Sequence, residues 1–392
     1  MRILIVHNHY GRFAQGGEAN VMEAEARLLT EHGHEVMKYE RTNAEVYEDG
    51  SLADKMRAFR DVASSDKSYK EIKKVIRDCQ PDIMHVHNYW FVLTPSIFAA
   101  AKDCGVKTVL TLHNYRLICP GGQFMKNGKV CELCLKGNPY RILYHRCYPG
   151  RSILKSYLSL ILYLKTKKRA FLADGVDSYI ALTNFGRSKF IEAGLPGEKI
   201  FVKPNFMRDP METMPQINPD GEGALFAGRL SPEKGIATLL KAWNVLDYPL
   251  RIAGDGPTLV EMRRNAPASA AFLGWQSHEE ILKRLRESAF FVFPSEGYEG
   301  FGLSLLEAMA LGKAIIASDL GPRREMIEDG VSGLLFEAGN AGDLRTKIDI
   351  LIGDQALRER LGQAARTTYL DRYIPDKNYN ILLNIYEDVL RS

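Results

Sequence analysis

Short apolar runs recur along this chain at intervals that leave room for one helix between them, and the series is played twice. Residues 2–7 read RILIVH, an apolar run bounded by polar residues, and further strand segments stand at 35–39, 82–87, 107–113 and 178–182. A run apolar at every position is buried on both faces, as in a parallel sheet. Helical periodicity fills 19–29 and 95–103 between the runs. The series restarts at 224–227, followed by runs at 250–253, 271–273, 290–293 and 314–317 with helical stretches such as 235–246 between. Strands alternating with helices imply doubly wound parallel sheets, so the expected fold class is α/β with two Rossmann-like domains. The 392 residues are enough for two cores. Residues 204–223 carry Pro204, Pro210, Pro215, Pro219, Gly221 and Gly223 without a clean period, and read as a linker. The expected domains are therefore 1–205 and 206–372. Segment 373–392 is amphipathic and rich in aromatics, and a Cys-rich insertion occupies 115–150. Such sheets bind ligands at the carboxyl ends of their strands, so two facing domains are expected to form a deep cleft between them.

The formal charge of +4 is too small to suggest nucleic acid, but suits anionic small molecules or an anionic membrane surface. The N-terminus lacks a basic region followed by a longer apolar run, so no signal peptide is expected. The apolar stretch at 153–164 is interrupted by Lys155, Ser156 and Ser159 and is too short to span a bilayer. These features point to the cytoplasm. Segment 151–172 mixes Leu, Ile and Tyr with Lys155, Lys165, Lys167, Lys168 and Arg169. It reads either as a helix lying on the inner face of a membrane or as a solvated helix packed on the first domain.

The densest cluster of chemistry is SEGYEGFGLSLLE at residues 295–307. A strand ends at Phe293, a glycine loop follows, and a helix opens near Gly302. First-turn N–H groups of a helix have no internal partners and carry partial positive charge, and glycines let a ligand approach the backbone. The arrangement suits a diphosphate. Glu299 lies before the helix and Glu307 within it, so one carboxylate can reach a sugar and the other a ribose. Gly228 and Arg229 follow another strand, with Lys234 five residues on, and Arg and Lys are natural partners of a diphosphate. Gly254, Asp255 and Gly256 end a third strand. No full G-x-G-x-x-G and no G-x-x-x-x-G-K is present, which disfavours a nicotinamide cofactor and a P-loop.

These residues carry a resemblance. The chain resembles the large retaining glycosyltransferase family of GT-B fold that builds bacterial surface polysaccharides and glycolipids. The matches are Gly16-Gly17, Thr111 to His113, Gly228 to Leu230, Lys234-Gly235, Gly254 to Gly256, and Glu299 with Glu307, in family order. The resemblance implies a nucleotide-diphosphate sugar donor and a saccharide or lipid-linked saccharide acceptor. It implies that Arg229 and Lys234 neutralise the diphosphate and that amides near Phe301, Gly302 and Leu303 cap it. Glu299 would bind the donor sugar, Glu307 the ribose, and His113 would sit at the sugar. Gly16 and Gly17 would approach the diphosphate from the other domain. It further implies retained anomeric configuration, no metal in the chemistry, and a final helix, 373–392, that returns to the first domain. One departure is Phe206, where the family often has Gly after VKPN. His113 also has a plain reading as a strand-end histidine bonded to backbone; His9, His85 and His87 are given that reading, apart from contacts to an acceptor.

Cys119, Cys131, Cys134 and Cys147 are spaced C-x11-C-x2-C-x12-C, with Asn127-Gly128 as a hairpin turn before the close pair. Four thiolates fill a tetrahedral shell, so structural zinc is expected; unligated thiols or reversible disulfides are the alternative. Cys79 and Cys104 read as buried apolar residues. Two other functions keep the pattern: a nucleotide-sugar epimerase or sugar phosphorylase of the same fold, and a non-catalytic interaction protein. The coincidence of Arg229, Lys234, Glu299 and Glu307 favours transfer.

Overall fold

The computed structural model describes residues 1–11, 17–126, 128–135, 137–147, 152–167, 175–213 and 221–392. They group into two compact units, one formed by Met1–Phe124, Cys131–Asn205 and Asn378–Ser392, the other by Met125–Val130 and Phe206–Lys377. Each unit carries one six-stranded sheet whose strands all run parallel.

In the first unit the strands are β1 (Arg2–His9), β2 (Glu35–Thr42), β3 (Ile83–Asn88), β4 (Lys107–Leu112), and, past a short hairpin of β5 (Met125–Lys126) and β6 (Lys129–Val130), β7 (Ser178–Ala181) and β8 (Ile200–Val202). Their order across the sheet is β2-β1-β3-β4-β7-β8. The direction of winding reverses between β1 and β3. The apolar runs are buried as a two-faced sheet requires: Ile3, Leu4, Ile5 and Val6 have no exposed surface. Helix Gly17–Glu31 covers one face through Met22, Ala26 and Leu29. The final helix, Pro375–Arg391, adds Leu382, Ile385, Tyr386 and Val389 to the same core. An apolar stripe of that kind contributes about 1.5–3 kcal/mol per fully buried side chain.

The second unit contains β9 (Ala224–Ala227), β10 (Leu250–Ala253), β11 (Ala270–Gly274), β12 (Phe290–Phe293), β13 (Ala314–Ser318) and β14 (Leu334–Phe336), in the order β11-β10-β9-β12-β13-β14. This is the strand order of a dinucleotide-binding Rossmann sheet, with the reversal between β9 and β12. Trp243 and Phe290 sit in its core with no exposed surface. All ten expected strands are present with ends within three residues of those expected, the largest difference being β2, which runs on to Thr42; β8 and β14 are additional. Among the described residues no helix is long and apolar enough to cross a membrane.

Candidate functional site

Ligands of open parallel sheets bind where the winding reverses. In the second unit that place is framed by the loops after β9 and β12. The two loops are sewn together: the Glu296 and Gly297 amides donate to the Glu233 carbonyl at 2.8 and 3.3 Å. Gly235, at φ +69°, lies so near β12 that a Cβ there would stand 2.0 Å from the Pro294 carbonyl oxygen. Only glycine permits that approach. It brings Lys234, the residue before it, to the 295–302 loop. There Lys234 Nζ meets Glu299 Oε1 at 2.7 Å, and the Ser295 hydroxyl donates to the same oxygen at 2.7 Å. Burial works against the charge of Glu299, but Lys234 and Ser295 outweigh it and hold the carboxyl below its usual range.

Helix Leu303–Ala310 begins immediately after, with Gly302 at its N-cap in the left-handed region and no side chain capping the first turn. The N–H groups of Leu303 and its successors therefore present their dipoles outward. Phe301 is buried, edge-on to Tyr373 at 5.6 Å, and fixes the residue before the cap. Glu307, two-thirds along the helix, is met by His278 Nε2 at 3.2 Å, and this contact raises the histidine's pKa.

Gly228 and Arg229 leave β9, and Arg229 is exposed, with no side-chain hydrogen bond or ion pair to other described residues. Gly254 leaves β10, where a Cβ would lie 1.9 Å from the Gly228 carbonyl. Asp255 is exposed and accepts from the Leu230 amide through its carbonyl at 2.9 Å, which ties the β10 loop to the β9 loop. The structure thus joins Lys234 to Glu299 directly and places Gly228, Arg229, Gly254 and Asp255 on adjoining loops.

A residue the sequence did not single out holds this site together. Arg323 is completely buried and donates to the carbonyls of Ser318 (2.8 Å), Ser295 (3.0 Å) and Gly297 (3.2 Å). A guanidinium, with five donors in a rigid fork, is suited to several carbonyls at once. It clamps the backbone of the glycine loop and adds positive potential beside Glu299.

In the first unit His113 follows β4 and is 9% exposed. Its Nε2 is 3.0 Å from His87 Nδ1, and His87 Nε2 is 3.3 Å from Glu25 Oε1. The second carboxylate oxygen of Glu25 receives Lys203 Nζ at 2.7 Å, and Lys203 also donates to Asn378 Oδ1 at 3.0 Å. His85 completes the cluster, 2.7 Å from both Tyr386 Oη and Thr111 Oγ1. Burial opposes ionisation of Glu25, but Lys203, His85 and His87 overcome it and hold the carboxyl well below its normal range. The histidines move down chiefly because they are buried, His85 to about 4 and His7 to about 3, with His113 also well below its ordinary value. Glu25, His85 and His87 bring ligand atoms within 4.8 Å of one another. Lys203 already supplies the positive charge there, so the cluster reads as a buried ion pair. The strand-end histidines His85 and His87, expected to bond to backbone, bond to side chains instead.

Gly17 opens helix Gly17–Glu31 and is exposed; Gly16 lies outside the described residues. No disulfide joins the cysteines. Cys119 is buried, which pushes its thiol up, while hydrogen bonds from the backbone of residues 121–124 act the other way. Cys134 is pushed up to about 12, by burial first and then by Cys119, Cys147 and Cys131 around it. Among the described residues no three of the thiols come within 4.8 Å of one another. Strands β5 and β6 pair antiparallel on either side of residues 127–128, of which Asn127 is not described.

Comparison with known proteins decides the family. Residues 15–208 match the family Glycosyltransferase Family 4, and residues 209–368 match Glycosyl transferases group 1. The chain belongs to the GT-B glycosyltransferases. An uncharacterized glycosyltransferase of Methanocaldococcus jannaschii is 36% identical over 143 residues, covering 36% of this chain and 40% of that protein. The lipopolysaccharide 1,2-N-acetylglucosaminetransferase of Salmonella typhimurium is 25% identical over 241 residues, covering 55% of this chain and 63% of its own length. The chain thus spans between 40% and 63% of the length of these two relatives. The Anabaena protein HepE, solved in complex with UDP, superposes with a TM-score of 0.67 at 17% identity over 99% of this chain and 100% of its own. At that identity the likeness speaks for the GT-B fold, which the two Rossmann-like sheets display directly.

Proposed function

We propose that this chain is a hexosyltransferase that moves a sugar from a nucleoside-diphosphate donor to a saccharide acceptor with retention of anomeric configuration, in surface polysaccharide or glycolipid synthesis. The observation that carries the reading is the Lys234–Glu299 pair at the winding reversal, beside a helix whose first turn no side chain caps. The donor diphosphate would lie on Arg229, Lys234 and the amides at Phe301, Gly302 and Leu303. As the bond from the anomeric carbon to the phosphate oxygen breaks, its electron pair passes to that oxygen. Fixed cations and helix N–H groups aimed there stabilise the growing charge without a catalytic metal. The acceptor hydroxyl would attack the same face and give its proton to the departing phosphate. Glu299, ionised and anchored by Lys234, would accept hydrogen bonds from the donor sugar; Glu307 would accept them from the ribose; His113 would contact the sugar. HepE's complex with UDP and the Salmonella relative's transfer of N-acetylglucosamine to lipopolysaccharide are consistent with a UDP-sugar and a saccharide acceptor. Release of UDP from a UDP-sugar that depends on added acceptor tests the reading. An epimerase would interconvert sugars without releasing UDP, a phosphorylase would require free phosphate, and a non-catalytic partner would do neither.

The exposed side chains of Tyr140, Tyr144, Ile153, Leu154 and Tyr157 support peripheral contact with a membrane, where a lipid-linked acceptor would be presented. We also propose that Cys119, Cys131, Cys134 and Cys147 hold one structural zinc, drawn together by the metal. The support is the spacing of the four thiols and the approach of the Cys119 loop to Cys147, whose Cβ would lie 3.2 Å from a Cβ on Gly121. Thiolate ligation releases protons and stabilises the segment instead of altering the chemistry. About one zinc per chain by elemental analysis is the expected result; a fully active preparation with no metal and four titratable thiols would end the idea.

A further inference from the structure

Residues two apart on a strand share a face, and the β3 pair His85 and His87 both turn toward helix Gly17–Glu31. There Glu25 stands on the apolar stripe, between Met22 and Leu29. His113, just past β4, extends the line: its Nε2 meets His87 Nδ1 at 3.0 Å. Glu25, His85 and His87 are all buried, so water does not set where their protons sit. The neighbouring charges do.

The Glu25 carboxyl is held well below its normal range and is therefore ionised. Its Oε2 is taken by Lys203 Nζ at 2.7 Å, and Asn378 holds the ammonium in place. That leaves Oε1 to face His85 Nδ1 at 3.0 Å and His87 Nε2 at 3.3 Å. The Oε1 and His87 Nε2 atoms make no well-aligned hydrogen bond, so their contact is a matter of charge. A lone pair on Nε2 would be repelled by the carboxylate; an N–H presents its positive end. Lys203 already balances Glu25, so the rings complete the network as neutral imidazoles. A neutral imidazole donates from one nitrogen and accepts at the other. With its proton on Nε2, His87 accepts at Nδ1, and the 3.0 Å bond runs from the Nε2–H of His113. Burial keeps His113 itself neutral. Its Nδ1 then carries a lone pair, and that atom makes no hydrogen bond to other described residues.

We infer that Glu25 is a positioning residue for His113: acting through His87, it holds His113 as the Nε2–H tautomer and leaves Nδ1 as a fixed hydrogen-bond acceptor. A nitrogen held in this state accepts from a ligand hydroxyl and cannot donate to a carbonyl or phosphate oxygen. The carboxylate at the far end of the network thus decides which groups His113 receives. The consequence for turnover rests on the transfer reading, in which His113 contacts the sugar; the tautomer itself does not, so the two ideas fail separately.

Nitrogen-15 NMR of the full chain labelled on histidine reads the tautomer directly at about pH 8, above the ordinary histidine range. The His113 signals are assigned by their loss in His113→Asn. The expected spectrum has the proton on Nε2 and none on Nδ1; a proton on Nδ1 in the wild-type chain would overturn the inference before any further variant is made. Glu25→Gln tests the direction of the relay. Lys203 keeps the amide oxygen, the amide NH₂ faces His87 Nε2, and that nitrogen must now accept. His87 then donates from Nδ1 to His113 Nε2, and the His113 proton moves to Nδ1. A purely structural role for Glu25 predicts no such exchange, so an unchanged His113 tautomer in folded Glu25→Gln would also overturn the inference. Turnover of a UDP-sugar should fall about tenfold in the same variant, the worth of one hydrogen bond. A reversed tautomer with unchanged turnover would sustain the relay and count instead against the contact of His113 with the sugar.

Discussion

The carboxyl ends of the two sheets are built from similar topology and used in opposite ways. In the first unit the polar groups there turn inward: Glu25, Lys203, His85 and His87 are all 3% exposed or less and bind one another. In the second unit they are left available: Arg229 and Asp255 are exposed, Lys234 and Glu299 are partly so, and the helix at Leu303 begins uncapped. The first arrangement fastens a sheet to its covering helices and orients His113 through His87. The second keeps charge available where, on the proposed reading, a donor diphosphate would lie. A buried charge that is matched by its neighbours serves the fold; a charge matched only in part by its neighbours remains for a ligand.

The sharpest way to break this contrast is to remove one charge from each unit. Glu25→Ala leaves the Lys203 ammonium buried and unpaired, and breaking a buried pair costs about 3–5 kcal/mol. Urea unfolding followed by a probe in the first unit should show that loss; a change below about 1 kcal/mol would mean the network does not hold the fold. Lys234→Ala should do the reverse. Folding should be retained, because its partner Glu299 is partly exposed and still bonded by Ser295, while turnover falls by about 10²–10³.

Acid should separate the units by a smaller amount. His7 and His85 titrate near 3 and 4 in the folded chain against about 6.5 when unfolded. Between pH 6.5 and about 4 the unfolded chain takes up these protons and the folded chain does not, so the stability they leave intact at neutral pH is lost as pH falls. The loss approaches about 1.4 kcal/mol per pH unit for each group. Hydrogen exchange at pH 5 should therefore show first-unit peptides losing protection before those of the second unit. Smallest of all is His278→Ala, which removes an exposed contact to Glu307 and should change stability by less than about 1 kcal/mol. Glu307→Ala, by contrast, should weaken binding of UDP itself, whereas Glu299→Ala should mainly harm the sugar. Equal loss of UDP affinity in both would show that the two carboxylates are not divided in that way.

What the sequence disclosed depended on period and length. The ten expected strands centre on short apolar stretches set at regular intervals between helical ones. β8 and β14, at three residues each, are as apolar but stand outside that regular alternation. The donor-side loops were legible because glycines, cations and carboxylates cluster between a strand and a helix. Arg323 was not, since an Arg-Arg pair after Gly-Pro reads as surface charge, and only the folded loop reveals three carbonyls waiting for one guanidinium. Glu25 did carry a signal. It falls three or four residues from Val21, Met22, Leu28 and Leu29, on the buried stripe of its helix. A carboxylate on an apolar stripe implies a buried partner, but nothing in the sequence says that the partner is Lys203, 178 residues away.

The central claim is that fixed cations and a helix terminus in the second unit hold the donor diphosphate without a metal. Calorimetric titration of UDP into the protein in the presence of EDTA tests it most directly. The expected result is one site per chain, weakened at least about tenfold by Lys234→Ala and Arg229→Ala, in line with loss of a charge-assisted hydrogen bond of roughly 1.5–3 kcal/mol. Absence of binding, binding only when a divalent cation is restored, or affinity unchanged in both variants would contradict it.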